Sequence, residues 1–156
     1  MHKPLEHYLE IVDRVASLSQ DRNAQVGCVI VDSNGRVLST GYNDLPPNVI
    51  DNDARRARPG KYVYTEHAER SAIYNAAKAG TALDNTTMYQ RWFPCAECAR
   101  AMVMSGIRAL YCEKPNWDDP RWGESFKDAA CILIESNVTI KFYATATGNP
   151  HPAAVP

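Results

Sequence analysis

A three-layer α/β/α domain around a mainly parallel sheet is predicted by three observations. A continuous β-branched run meets a second extended segment across a turn signal. Helical and extended patterns alternate after that pair, and a chain of 156 residues is long enough to bury one core without disulfides.

Each element has its own warrant. From Leu5 to Leu18 the apolar residues Leu5, Tyr8, Leu9, Ile11, Val12, Val15, Ala16 and Leu18 recur mostly at steps of three and four, the period of an amphipathic helix. Val26 to Val31 and Arg36 to Tyr42 flank Asp32-Ser33-Asn34-Gly35 and read as a β-hairpin. Asn43 to Tyr64 is rich in Pro, Asn, Asp and Arg, with little periodicity, and reads as a long loop that walls a site. His67 to Gly80 reads as a helix with a small-residue face of Ala68, Ala72, Ile73, Ala76 and Ala77, and Gly80 as its stop. Thr86 to Trp92, Ile107 to Cys112 and Val138 to Tyr143 read as strands, alternating with helices at Ala96 to Ser105 and about Ser125 to Glu135. These elements make residues 1–143 one domain, and the Pro/Ala/Thr/Gly-rich stretch 144–156 a flexible C-terminal tail.

Composition excludes several classes. Hydrophobic residues are 45% and charged residues 22%, as in an ordinary globular domain. No apolar run approaches the roughly 20 residues that a bilayer span needs. The segment Met1 to Glu10 has neither a signal core nor a transit character, so a cytoplasmic setting is expected. A formal net charge of −1 argues against broad binding of nucleic-acid backbones and favours a small substrate. Of five cysteines, Cys28, Cys112 and Cys131 lie among apolar neighbours and read as buried small hydrophobes.

Cys95 and Cys98 read differently. They stand three apart in Pro94-Cys95-Ala96-Glu97-Cys98, at the opening of a helix, where one turn can chelate one metal and the helix terminus favours the thiolate. His67-Ala68-Glu69 lies 28 positions upstream, histidine to first cysteine. One imidazole and two thiolates make three ligands, which leaves the fourth tetrahedral position of a zinc ion to water, as in a catalytic site. His67 and Glu69 are two apart and cannot share a side-on helix face, so they belong at a helix end, with the carboxylate as a proton shuttle. Cys-x-x-Cys alone is equally a redox pair or two chance core cysteines, and His-Ala-Glu alone is more often a helix start with a surface acid; together they point to one catalytic centre.

These motifs resemble the zinc cytidine and deoxycytidylate deaminases. The hairpin, Gly41-Tyr42-Asn43 and Pro46, and Gln25-Val26-Gly27-Cys28 look like the deoxycytidylate branch. The resemblance spans roughly Leu5 to Tyr143 and implies a cytidine-deaminase-like fold with a mixed, mainly parallel five-stranded sheet. It implies Zn2+ on His67, Cys95 and Cys98, and Glu69 as the catalytic group that moves protons between water and the pyrimidine. The implied reaction is hydrolytic deamination of dCMP to dUMP, supplying thymidylate synthesis. Asn43 would contact the deoxyribose and the Ala68 backbone the base carbonyl. The resemblance further implies dCTP and dTTP as effectors and a homo-oligomer, hexamer or dimer. The alternatives are the same chemistry on tRNA adenosine, guanine or cytidine, or a scaffold without catalysis, against which Glu69 argues.

Three positions depart from the family's pattern: Ser71 where relatives carry Asn, Arg91 where Thr is common, and Asp44 where Gly follows Gly-Tyr-Asn. Arg91 reads either as a substrate-binding residue that reaches a phosphate or as the partner of an acid on a neighbouring element. Asp51 to Lys61 reads as solvated surface ahead of a phosphate clamp. Trp117, Trp122 and Phe126 read as packing ahead of base stacking.

Overall fold

The computed structural model describes residues 3–144. Helix α1 (Leu5–Ala16) leads to the hairpin β1 (Gly27–Val31) and β2 (Val37–Tyr42). Two single-turn helices follow, α2 (Asp53–Arg56) and α3 (Lys61–Tyr64). The remainder alternates as α4 (Ala68–Lys78), β3 (Thr86–Gln90), α5 (Ala96–Ser105), β4 (Ile107–Glu113), α6 (Gly123–Glu135) and β5 (Thr139–Tyr143). The expected tail lies outside the described residues apart from Ala144. Among the described residues no helix is long and apolar enough to cross a membrane.

The five strands form one mixed sheet in the order β2-β1-β3-β4-β5. The sheet is mixed and mainly parallel, as expected: β2, β3, β4 and β5 run in one direction, and among the described strands β1 alone is opposed, antiparallel to both β2 and β3. The hairpin is the reason. Its tight turn reverses β1 against β2, and the chain then passes through α4 to β3 on the far side of β1. Two like-directed strands therefore enclose an opposed one. The Asp32 carboxylate closes the turn by accepting from the backbone N–H groups of Asn34 and Arg36.

Among the described residues helix α1 alone covers one face, where Tyr8 and Val12 pack with Val29, Val31 and Tyr89. Helices α4, α5 and α6 cover the other, over Cys28, Ile30, Met88, Leu110 and Cys112. The small-residue face of α4 is narrower than predicted: Ala68, Ala72 and Ala76 are buried, four apart, while Ala77 is exposed. Gly41 permits the contact, because a Cβ there would lie 2.3 Å from the Ala68 carbonyl oxygen and the Ala72 nitrogen. The start of α4 is thus pressed onto the end of β2. Of the three cysteines read as buried, Cys28 and Cys112 are, but Cys131 is exposed: it falls on the outward face of α6, whose buried residues are Gly123, Phe126, Ala129 and Leu133.

Candidate active site

Two helices begin at one point. His67 is the N-cap of α4 and Cys95 the N-cap of α5, both in extended backbone, so each side chain projects from a helix mouth. The Nδ1 of His67 lies 3.6 Å from Cys95 Sγ and 3.5 Å from Cys98 Sγ. All three ligand atoms fall within 4.8 Å of one another. Tetrahedral zinc at ordinary bond lengths holds a nitrogen and a sulfur roughly 3.6 Å apart, so the donor set fits zinc in both chemistry and spacing.

The electrostatics favour a cation. The hydrogen bond from Cys98 and the neighbouring His67 bring the Cys95 thiol down to about 4, despite burial. The Cys95 thiolate and burial in turn push Cys98 up. Cys95, chiefly, raises His67 against its burial. A divalent cation binds these donors in their deprotonated forms and would take the place of the protons they share.

Glu69 sits in the first turn of α4, buried, and burial pushes its carboxyl up. Its position at the helix mouth agrees with the two-residue spacing from His67. Gln90, fully buried at the end of β3, donates from Nε2 to Glu69 Oε1 at 3.3 Å and to the Trp92 carbonyl at 2.7 Å. The sequence alone gave no sign of this contact, since only strand alternation carries Gln90 to the α4 side.

The same alternation removes Arg91 from the site. Its side chain emerges on the α1 side, forms a fork on Asp13 at 2.9 and 2.6 Å, and pairs with Glu113 at 3.5 Å. Of its two readings, the one with an acid on a neighbouring element describes the structure; Arg91 does not line the cavity beside Glu69. Nor does Ser71, which follows on α4.

The cavity opens where the carboxyl ends of β2 and β3 meet the start of the antiparallel β1. Ala24, Val26 and Asn43 form one wall and His67, Ala68 and Glu69 the floor. Trp92, Phe93, Trp122 and Phe126 supply aromatic surface, and the Trp122 ring meets the His67 ring edge-on at 6.1 Å. Trp117 instead packs on Phe93. Asn43 joins two parts of the rim: its Oδ1 accepts from the Val26 N–H at 2.7 Å and its Nδ2 donates to the Ala24 carbonyl at 2.9 Å.

The segment expected as a loop does wall the cavity, through Asn43, Arg58, Lys61 and Tyr62. Most of its other charges satisfy each other, Arg56 forking onto Asp51 and reaching Asp44. Lys61 pairs at 2.7 Å with Asp21, which also accepts from the backbone N–H groups of Asn23 and Ala24. Asp21 was not singled out by sequence, although Asp two positions before Asn is a turn signal. Arg121, ahead of α6, reaches over the cavity to the Tyr62 hydroxyl and ring.

Residues 2–114 match the sequence profile described as the cytidine and deoxycytidylate deaminase zinc-binding region. A probable deoxycytidylate deaminase of Caenorhabditis elegans is 37% identical over 113 residues, which cover 70% of this chain and 56% of that protein. An uncharacterized deaminase of Aliivibrio fischeri is 32% identical over 136 residues, 86% of this chain and 90% of that protein. The chain spans 61% of the human deoxycytidylate deaminase, at 34% identity over 67% of its own length. Among solved structures, the dCMP deaminase of cyanophage S-TIM5 in complex with dCMP and dUMP superposes with a TM-score of 0.73 over 92% of this chain and 100% of that one, at 20% identity, a likeness of fold.

Proposed function

We propose that this chain, which belongs to the cytidine and deoxycytidylate deaminase zinc-binding family, hydrolyses dCMP to dUMP and ammonia. The observation that carries the reading is the buried carboxylate of Glu69 beside the three convergent donors His67, Cys95 and Cys98. A scaffold would need no proton carrier there. Zinc bound by those donors supplies Lewis-acid activation of water.

The chain's own residues supply the rest. Glu69 takes a proton from the attacking water and delivers it to the ring N3, then carries the remaining proton of the new C4 hydroxyl to the departing amine; water's oxygen becomes the C4 carbonyl and ammonia leaves. A carboxyl raised by burial suits a group that must both accept and release a proton. Gln90 holds one oxygen of that carboxylate. Trp122 and Phe126 present apolar surface to the pyrimidine and help exclude water. The first-turn N–H of Ala68 offers a donor to the base carbonyl, and Asn43 lies where a deoxyribose would pass.

Support for a nucleotide over a nucleoside comes from the rim, where Arg58, Lys61 and Arg121 place three cations around the cavity. Lys61 is neutralised by Asp21, and Arg121, which reaches over the cavity to Tyr62, is the phosphate reader in this proposal. Arg121 thus takes the role that one reading of the sequence gives Arg91, which pairs with Asp13 instead, and Arg58 and Lys61 of the Asp51 to Lys61 segment belong to the cavity rim. dUMP so formed would feed thymidylate synthesis. The proposal includes residues 1–143 as one domain, a homo-oligomer, and dCTP and dTTP as effectors. It also includes a cytoplasmic setting, which suits a chain whose five cysteines are all free.

The test is ammonia release from dCMP, dCTP, deoxycytidine, CMP, guanine and adenosine by zinc-loaded protein. Preference for dCMP supports the reading. Preference for guanine or adenosine, or equal rates on all six, contradicts it.

A further inference from the structure

We propose that Glu66, Arg70 and Glu97 form a strut that presets the distance between His67 and the cysteine pair, and so sets how tightly this chain holds its metal. The inference rests on the zinc reading above.

Arg70 stands in the first turn of α4, where the helix dipole disfavours a cation. Its guanidinium does not point to solvent. It forks onto Glu66 Oε1, at 2.6 Å from Nε and 2.5 Å from a terminal nitrogen, and its other terminal nitrogen reaches Glu97 Oε2 at 2.8 Å. Glu97 lies between Cys95 and Cys98, in the first turn of α5. One guanidinium therefore spans the mouths of both ligand-bearing helices.

The anchor at the other end is equally specific. The same Glu66 oxygen that takes Arg70 also accepts the backbone N–H of His67 at 2.8 Å. The Glu66 backbone is itself bridged to Asp44, with N–H···O distances of 2.8 and 3.2 Å. The path runs from the end of β2 through Glu66 to His67 and Arg70, then across to α5. An ordinary helical Glu–Arg pair four residues apart contributes little. Here the pair also fixes the backbone of one ligand and a carboxylate between the other two. The Arg70 side chain is only 17% exposed, and its planar fork makes bonds to both carboxylates that a lysine cannot make together.

Partners that orient metal ligands typically change affinity by about 10–100-fold when removed. The test is zinc affinity by chelator competition on the purified protein, together with the difference in Tm between zinc-loaded and zinc-free samples. Arg70→Leu is expected to weaken zinc binding by about 10–100-fold and to shrink that Tm difference. Arg70→Lys is expected to recover part of the loss. A residue that only stabilised the fold would lower both Tm values together and leave zinc affinity alone.

Zinc affinity of Arg70→Leu within about twofold of the parent overturns the strut. So does an Arg70→Lys variant that matches the parent, because charge without the fork would then suffice. If Arg70→Leu does not fold, Glu97→Gln decides: its side chain is 65% exposed, and unchanged zinc affinity there also overturns the proposal. A parent that binds no zinc contradicts the deaminase reading itself, a result distinct from a zinc-binding parent matched by its variants.

Discussion

His67 Nδ1 lies 3.5 Å from Cys98 Sγ although 31 positions separate the two residues. The contact exists because α4 and α5 both open at the carboxyl edge of the sheet, after β2 and β3. Neither helix alone could hold a metal. Their shared mouth can.

Removing one donor should therefore remove the metal. Cys98→Ala is expected to purify with little zinc where the parent carries about one ion per chain, because two remaining donors no longer complete a protein site. Elemental analysis after dialysis measures it. A variant that retains stoichiometric zinc would show that Cys98 is not a ligand.

Arg121 reaches over the cavity from the opposite wall to Tyr62. Arg121→Ala is expected to raise KM for dCMP by about tenfold, roughly 1.4 kcal/mol, while deoxycytidine turnover changes little. Steady-state kinetics on both substrates gives the comparison. Equal effects on both would place Arg121 outside phosphate recognition.

Asp21 and Lys61 tie the segment before β1 to α3 across the cavity rim. Burial works to raise the Asp21 carboxyl, but Lys61 and the Asn23 and Ala24 N–H groups hold it below its ordinary 3.8. A carboxyl lowered on folding contributes stability above its unfolded value, and that contribution fades as pH falls through the lower folded one. Asp21→Asn is expected to cost about 1–3 kcal/mol at pH 7, with the gap to the parent narrowing below pH 3.8. Urea unfolding at several pH values measures it, and a gap that stayed constant into acid would contradict the assignment.

Much of this architecture is legible in the sequence because it is local. The helix period of α1, the β-branched run of β1 and the His-Ala-Glu and Pro-Cys-x-x-Cys motifs each declare themselves within a few residues. What escapes is what depends on pairing at a distance. Gln90 and Arg91 are adjacent and both polar; only the sheet decides that the first faces Glu69 and the second Asp13. The α2 and α3 turns are too short for periodicity, and Lys61 gains its meaning from Asp21, 40 positions away. Cys131 sits among apolar neighbours in sequence but on the outer face of α6.

Arg91 gives a contrasting prediction. Arg91→Leu breaks a half-exposed ion pair with Asp13 and is expected to cost less than about 1 kcal/mol, with kcat and KM for dCMP unchanged. Thermal unfolding beside steady-state kinetics checks both halves. A selective rise in KM would return Arg91 to the substrate.

The most direct test concerns Glu69. Glu69→Gln keeps the shape of the side chain and removes its proton chemistry, so zinc content should match the parent while ammonia release from dCMP falls by about 10²–10⁴-fold. Zinc content and turnover measured on the same preparation decide it. Parent-like turnover in the variant would contradict the assignment of Glu69 as the proton carrier.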